Sequence, residues 1–157
     1  AMVAVPYSWA QVSGKVVGQA QSISRSGFAD TRLRLTTLLY GAPAGGMAEV
    51  MKAPKKTIIG FSLNMIAPTG QFFPDKLINI GTNRWSFRPE LALSQPVGKR
   101  WLLDIYGGVW FFTTNNSFYP GSSVRTQEPM GTFQAHVSYN ITPRFWIALN
   151  TTYYVGG

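Results

Sequence analysis

Cysteine is absent from the 157 residues of this chain, and charged residues make up only 13% of it. The lack of cysteine excludes a disulfide scaffold, a thiolate metal site and a cysteine nucleophile. The charged share is about half of that in an average globular protein. No apolar run reaches roughly 18 residues, so the sequence contains no transmembrane helix.

Groups that carry chemistry are also sparse, with one His and six acidic residues. Because no glycine-rich phosphate loop and no metal-ligand spacing occurs, we expect no cofactor, no metal and no catalytic residues. The net charge of +8 raises the possibility of nucleic-acid binding. The basic residues are scattered, however, and contact with membrane lipids or lipopolysaccharide explains the charge as well. We therefore expect no nucleic-acid partner.

Aromatic residues, by contrast, are abundant, with ten Phe, seven Tyr and five Trp. Several segments alternate apolar and polar residues, most clearly over 59–67, 101–111 and 133–141. A strand points successive side chains to opposite faces, so each segment would have one apolar and one polar face. Repeated segments of this length with aromatic ends are typical of an all-β, antiparallel transmembrane β-barrel.

The alternation predicts seven strands separated by long and short connections. The strands are expected at residues 3–12, 31–40, 57–67, 85–95, 101–113, 131–141 and 145–155. Long loops are expected over 14–27, whose flanks can extend the hairpin, and over 68–84 and 113–129. Tight turns are expected at 96–100 and 142–144. This asymmetry is typical of outer-membrane barrels, although the long connection over 41–56, with a short helical piece at 47–51, departs from it.

A soluble β-sandwich or lipocalin-like barrel, acting as a ligand-binding domain, is an alternative that also shows alternation. Its solvent face would be rich in Lys and Glu. Here the polar faces carry Gly, Ser, Thr, Asn and Gln, and the apolar faces end in Trp and Tyr, as an interfacial girdle does. The pattern therefore favours a membrane barrel.

The strand count predicts that residues 1–157 form a single β-barrel domain that is part of a longer barrel. With seven antiparallel strands the first and last run in the same direction and cannot close, and bacterial single-chain barrels have even strand numbers. An open edge in lipid would cost several kcal/mol for each unpaired group. We expect the remaining strands, in a barrel of about twelve, to come from the same barrel or an oligomer partner.

Four segments carry a family resemblance: VAVPYSW, SGFADTRLRL, IAPTGQFFPDKLINIGTNRWSFRPELALSQPVG and YGGVWFFTTN. Over nearly its whole length the chain resembles the outer-membrane transporters grouped with the phenol meta-degradation pathway. The third segment is the most specific of the four. The resemblance implies a β-barrel in the bacterial outer membrane that helps hydrophobic or aromatic compounds across, and family members longer than this chain.

The polar faces of the predicted strands would line the barrel lumen and the path of a solute. By parity, the path residues are Arg32, Arg34, Asn64, Arg88, Glu90, Asp104, Tyr106, Trp110 and His136. Arg88 is within reach of Glu90, or of Asp104 diagonally. Two interpretations stay open: a charged cluster that fixes packing, or a substrate-contacting constriction whose positive side is Arg32, Arg34 and Arg88.

An enzymatic alternative rests on His136 and Ser138, two residues apart on one strand, with Asn150 opposite His136. Outer-membrane phospholipase A has such a trio, as base, nucleophile and orienting residue. Here the trio would face inward, with Ser138 near the periplasmic turn, whereas a lipid-cleaving site should face lipid at the outer leaflet.

A further alternative is an adhesin-like barrel whose long loops bind a partner through aromatic residues. Those residues are Phe72, Phe73, Trp85, Phe118 and Tyr119, and they would serve equally as rim aromatics at the headgroups. The function that we predict is a non-enzymatic outer-membrane channel that passively admits small hydrophobic or aromatic molecules.

Overall fold

The structure is a computed structural model, and it describes residues 1–41, 56–76, 78–119, 123–142 and 144–157. The described chain forms nine strands: β1 (Met2–Ala4), β2 (Tyr7–Val16), β3 (Gln19–Phe28), β4 (Thr31–Tyr40), β5 (Ile58–Ala67), β6 (Ser86–Val97), β7 (Trp101–Phe112), β8 (Met130–Thr142) and β9 (Phe145–Gly156). Within the described ranges, no helix has the length and apolar character that a membrane span requires. The all-β prediction is confirmed.

Seven of these strands form one sheet in the order β1-β4-β5-β6-β7-β8-β9, and β2 and β3 form a separate two-stranded sheet. The register pairs Trp101 with Tyr139 between β7 and β8, and His136 with Asn150 between β8 and β9. From β4 onward the bounds of the strands lie within two residues of the prediction. The helical piece predicted at 47–51 lies outside the described residues.

The N-terminal region differs from its prediction of one strand over 3–12 and a long loop over 14–27. β1 ends at Ala4, and β2 and β3 form a hairpin of ten residue pairs, from Tyr7↔Phe28 to Val16↔Gln19. The turn residues Val17 and Gly18 both have positive φ (50° and 79°), as a two-residue hairpin turn requires. The segment is rich in Ser, Gln and Gly, so its strands carry little apolar alternation that sequence analysis could detect.

The chain divides into two compact units. The first comprises Ala1–Arg34, Met65–Phe87 and Phe112–Gln127, and the second comprises Leu35–Asn64, Arg88–Phe111 and Glu128–Gly157. The first unit therefore holds the hairpin and most of the two long loops. The second holds β8 and β9 together with portions of β4, β5, β6 and β7.

In the first unit, a buried carboxylate fixes the loop over 68–84. Asp30, between β3 and β4, is only 6% exposed. Its Oδ1 accepts a hydrogen bond from the Gly70 amide (2.9 Å), and its Oδ2 accepts from the Thr82 amide (2.8 Å) and hydroxyl (2.6 Å). A Cβ on Gly81 would lie 2.8 Å from the Gly70 backbone, so only glycine allows this approach.

Burial in the sheet is inverted relative to a soluble protein. Among the described residues, Ala67 is the single buried hydrophobic residue, whereas Ser62 and Glu90 are 2% and 4% exposed. Large apolar side chains are exposed, such as those of Leu91 (57% exposed) and Leu149 (75% exposed). A soluble sheet buries its apolar face, but hydrocarbon accommodates an apolar exterior around a polar interior. The distribution matches strands whose apolar face meets lipid.

We expect Asp30→Ala to release the loop over 68–84, because three donors lose their buried acceptor. The cost should be at least about 2 kcal/mol in free energy of unfolding. The measurement is urea unfolding of the protein in vesicles, with the rate of tryptic cleavage after Lys76 as the local readout. Asp75→Ala is the control for the urea measurement, since Asp75 is exposed and forms a salt bridge with the exposed Lys76 at 2.8 Å. Equal stability of the two variants, or cleavage after Lys76 in Asp30→Ala at the rate of the wild type, would contradict the role of Asp30.

Candidate functional site

The predicted path residues fall into both units. Arg32 and Arg34 lie in the part of β4 that belongs to the first unit, opposite Ala4 and Met2 of β1. The others lie in the second unit and share what we call the polar face, which includes Asn64, Arg88, Glu90, Asp104, Tyr106, Trp110 and His136. A joint positive constriction of Arg32, Arg34 and Arg88 therefore stays a prediction.

An ion pair stands at the centre of the polar face. The Nη2 of Arg88 lies 3.1 Å from the Oε2 of Glu90, and both side chains are largely buried. The guanidinium also covers the ring of Trp110 at 5.0 Å, and the Asn64 side-chain amide donates to the Arg88 carbonyl at 3.5 Å. Residues two apart on a strand share a face, so the predicted Arg88–Glu90 contact is confirmed. Mutual neutralisation is what makes burial of both charges tolerable.

Gly108 has no side chain, and this leaves room for the Arg88–Glu90 ion pair. A Cβ at Gly108 would lie 2.8 Å from the Pro89 carbonyl oxygen and 3.3 Å from carbons of both Arg88 and Glu90. The carbonyl belongs to the backbone and cannot swing aside as a flexible side chain can. The absence of a side chain at this position is therefore part of the geometry of the site.

His136 forms a second cluster on the polar face. Its Nδ1 lies 2.6 Å from the Oδ1 of Asn150, and its ring meets Tyr106 edge-on at 5.4 Å. Because Oδ1 is an acceptor, the Nδ1 of His136 is the donor in this hydrogen bond. Asp104 lies opposite His136 in the register of β7 and β8. Among the described residues, no group of His, Asp and Glu could hold a metal ion.

This cluster contains part of the arrangement that the hydrolase alternative requires. The expected pairing of Asn150 with His136 is present, and Ser138 follows on the same face, opposite Leu102 and Ala148. That face is the polar one, not the apolar face that would meet lipid. The position of the trio therefore does not favour cleavage of membrane lipids.

The first unit contains a cavity of about 200 Å³, which we call the loop cavity. Its lining residues are Phe72, Asn79, Gly81, Thr82, Arg84, Asn115, Phe118 and Arg125. The buried Asn115 fixes its wall: Oδ1 accepts from the Asn83 side chain (3.0 Å) and the Ser117 amide (2.9 Å), and Nδ2 donates to the Thr82 carbonyl (3.0 Å).

Sequence reasoning singled out the loop aromatics but missed the polar residues that build this region. Asp30, Arg84, Asn115 and Arg125 were not among the predicted site residues. Parity of strand positions carries no information about loops, where a residue's neighbours can be distant in sequence, as Asp30 and Thr82 are (52 apart). The signal in the sequence for this region was one acidic residue, Asp30, in the segment SGFADT that joins β3 to β4.

Comparisons with known proteins agree with this architecture. The family described as "Putative MetA-pathway of phenol degradation" matches residues 1–157. A solved structure of an outer membrane channel from Pseudomonas putida F1 superimposes with a TM-score of 0.70 at 23% identity, covering 88% of this chain. The chain spans 50% of the length of that channel. Among curated proteins, none matches the chain. The predicted antiparallel transmembrane β-barrel fold is confirmed.

We expect Gly108→Ala to destabilise the second unit by about 1–3 kcal/mol, because the added methyl overlaps the Pro89 carbonyl and crowds the ion pair. The readout is the urea midpoint of the protein in vesicles. Gly107→Ala is a matched control, since nothing lies within 4 Å of a Cβ built at Gly107. Equal urea midpoints for Gly108→Ala and Gly107→Ala would contradict the assigned role of Gly108.

Proposed function

This chain belongs to the phenol-degradation MetA-pathway family, and we propose on that premise that it forms part of an outer-membrane channel. The channel would admit small hydrophobic or aromatic molecules passively and without catalysis. The observation that carries the proposal is the inverted burial of the sheet, with Glu90 enclosed and Leu149 open. A polar interior with an apolar exterior suits a conduit through hydrocarbon.

Contacts at the end of the sheet support a membrane-water boundary there. The rings of Trp101 and Tyr139 pack at 4.6 Å, and Arg100 in the adjoining turn donates to the Tyr139 hydroxyl at 3.1 Å. This hydrogen bond raises the pKa of Arg100, so the guanidinium stays charged. Amphipathic aromatic rings beside cations suit anionic headgroups, and we take lipids or lipopolysaccharide to be the partners at this level.

The polar face supports passage of a solute rather than a closed core. It presents the ring of Trp110 beside the Arg88–Glu90 pair and the ring of Tyr106 beside His136, so that it offers both apolar and polar contacts. Passage along this path would be passive, so the direction of transport would follow the solute gradient. We take the remaining strands, from the same barrel or a partner, to complete the wall that these strands begin, since an open edge in lipid is costly.

The first test is refolding of the chain from urea into lipid vesicles and, separately, into buffer. We expect the strand signal in circular dichroism with lipid only, because the open apolar face has no shelter in water. Conductance of the full-length protein in a planar bilayer, and faster uptake of a labelled monocyclic aromatic by cells that make it, should follow. A cooperative β fold in plain buffer would contradict the proposal. So would an equal increase in uptake of a hydrophilic sugar, which would indicate an unselective pore.

We expect Arg88→Ala to shift the reversal potential of the full-length channel toward cation preference, because Glu90 then faces the path without its neutralising partner. The measurement is the reversal potential of planar bilayers in a salt gradient. Lys99→Ala removes the same charge from an exposed turn and should leave the reversal potential near that of the wild type. Unchanged ion preference in Arg88→Ala would remove Arg88 from the path.

A further inference from the structure

The loop cavity differs from the polar face in having cations but no acidic residue among its described lining residues. Arg84 and Arg125 both line it, and none of its described lining residues is Asp or Glu. The Nη2 of Arg84 donates to the Gln127 side chain, but its Nη1 is buried and has no hydrogen-bond partner among the described residues. Burial lowers the pKa of Arg84, and the nearby charge of Arg125 lowers it further. An anion in the cavity would relieve both effects.

The other polar groups of the cavity wall are already engaged within the loops. The Asn79 amide donates to the carbonyls of Phe73 and Lys76, and its oxygen accepts from the Phe73 backbone. The Thr82 hydroxyl donates to Asp30, and the Asn115 oxygen accepts two hydrogen bonds. The wall is therefore preorganised, and the guanidinium groups are the donors left for a ligand.

Aromatic rings hold both guanidinium groups in position. The Cζ of Arg84 lies 4.5 Å from the centroid of Phe112, and that of Arg125 lies 4.8 Å from the centroid of Phe118. The backbone of Arg125 is fixed as well, through paired hydrogen bonds with Asn115 at 2.8 and 3.0 Å. A guanidinium stacked on a ring keeps its edge available for a carboxylate.

The size of the cavity limits the ligand to a single ring. An apolar cavity of about 150 Å³ holds one benzene molecule, and the loop cavity measures about 200 Å³. The remaining room accommodates one small charged substituent. A nucleotide or a polysaccharide would not fit, and a bare inorganic anion would leave the rings of Phe72 and Phe118 without contact.

We propose that the loop cavity binds a monocyclic aromatic monoanion, whose carboxylate meets Arg84 and Arg125 and whose ring packs on Phe72 and Phe118. This proposal rests on the proposed function only in taking the ligand to be a solute that the channel admits. Binding itself requires neither transport nor a membrane potential.

The test is ¹⁹F NMR of the full-length protein in detergent with 4-fluorobenzoate as the probe. We expect saturable binding of 4-fluorobenzoate that is at least about tenfold tighter than binding of 4-fluorobenzyl alcohol or of fluoroacetate. The alcohol is neutral and lacks the carboxylate, whereas fluoroacetate lacks the ring. Arg84→Gln and Arg125→Gln should each weaken 4-fluorobenzoate binding by about tenfold or more. Arg125 is exposed, so its variant keeps the test valid if Arg84→Gln fails to fold.

Arg25→Gln is the matched control. Arg25 lies in the same unit and stacks on Phe73 at 5.4 Å, but it does not line the loop cavity. Its variant should bind 4-fluorobenzoate as the wild type does. Equal weakening in Arg25→Gln and Arg84→Gln would overturn the proposal in favour of a general effect of positive charge. Equal affinity for fluoroacetate and 4-fluorobenzoate would overturn it in favour of an anion site that ignores the ring.

Binding and transport separate the two proposals. Saturable binding without faster aromatic uptake would leave the loop cavity as a ligand site and overturn the channel function. Faster aromatic uptake without detectable 4-fluorobenzoate binding in the wild type would support the channel function and overturn the ligand site in the loop cavity.

Discussion

The structure depends on one constraint, which is that polar groups must find their partners inside because hydrocarbon offers none. The sheet meets it by pairing strands through their backbones and by enclosing the polar side chains on one face. Hydroxyl contacts such as that of Thr36 with Ser62 (3.1 Å), and the Arg88–Glu90 ion pair, provide partners for several of these enclosed groups. The open apolar side chains on the other face follow from the same constraint, and need no separate explanation.

Because the described part of the chain has almost no buried apolar residues, hydrophobic packing cannot fix the loops that it contains. In the first unit this task falls to single polar residues, Asp30 and Asn115, each of which joins segments distant in sequence. A buried carboxylate with three donors is rigid, because any loop movement leaves an unsatisfied group. The same rigidity lets arginines keep donors free in the loop cavity, since the surrounding amides are already engaged.

The strands of the sheet were predictable from the sequence, whereas the contacts within the loops were not. Strands from β4 onward were predicted within two residues, because one face meets lipid and the other does not, so alternation is enforced. Only the first half of β2 was predicted as a strand, because polar and small residues predominate on both faces of the rest of the β2–β3 hairpin. The Arg88–Glu90 pair was predictable from its spacing of two on one strand. Arg84 and Arg125 were not, because loops bring them together through contacts that leave no periodic pattern.

The two groups of arginines therefore differ in what they can recognise. Arg88 is neutralised by Glu90, so its net field is weak, and its role is to fix packing or to shape the path. Arg84 and Arg125 line a cavity that has no Asp or Glu among its described lining residues, and burial already disfavours the charge of Arg84. An uncompensated, partly buried cation gains most from an incoming anion. Discrimination by charge should accordingly reside in the loops, whereas the sheet supplies an apolar boundary and a balanced polar lining.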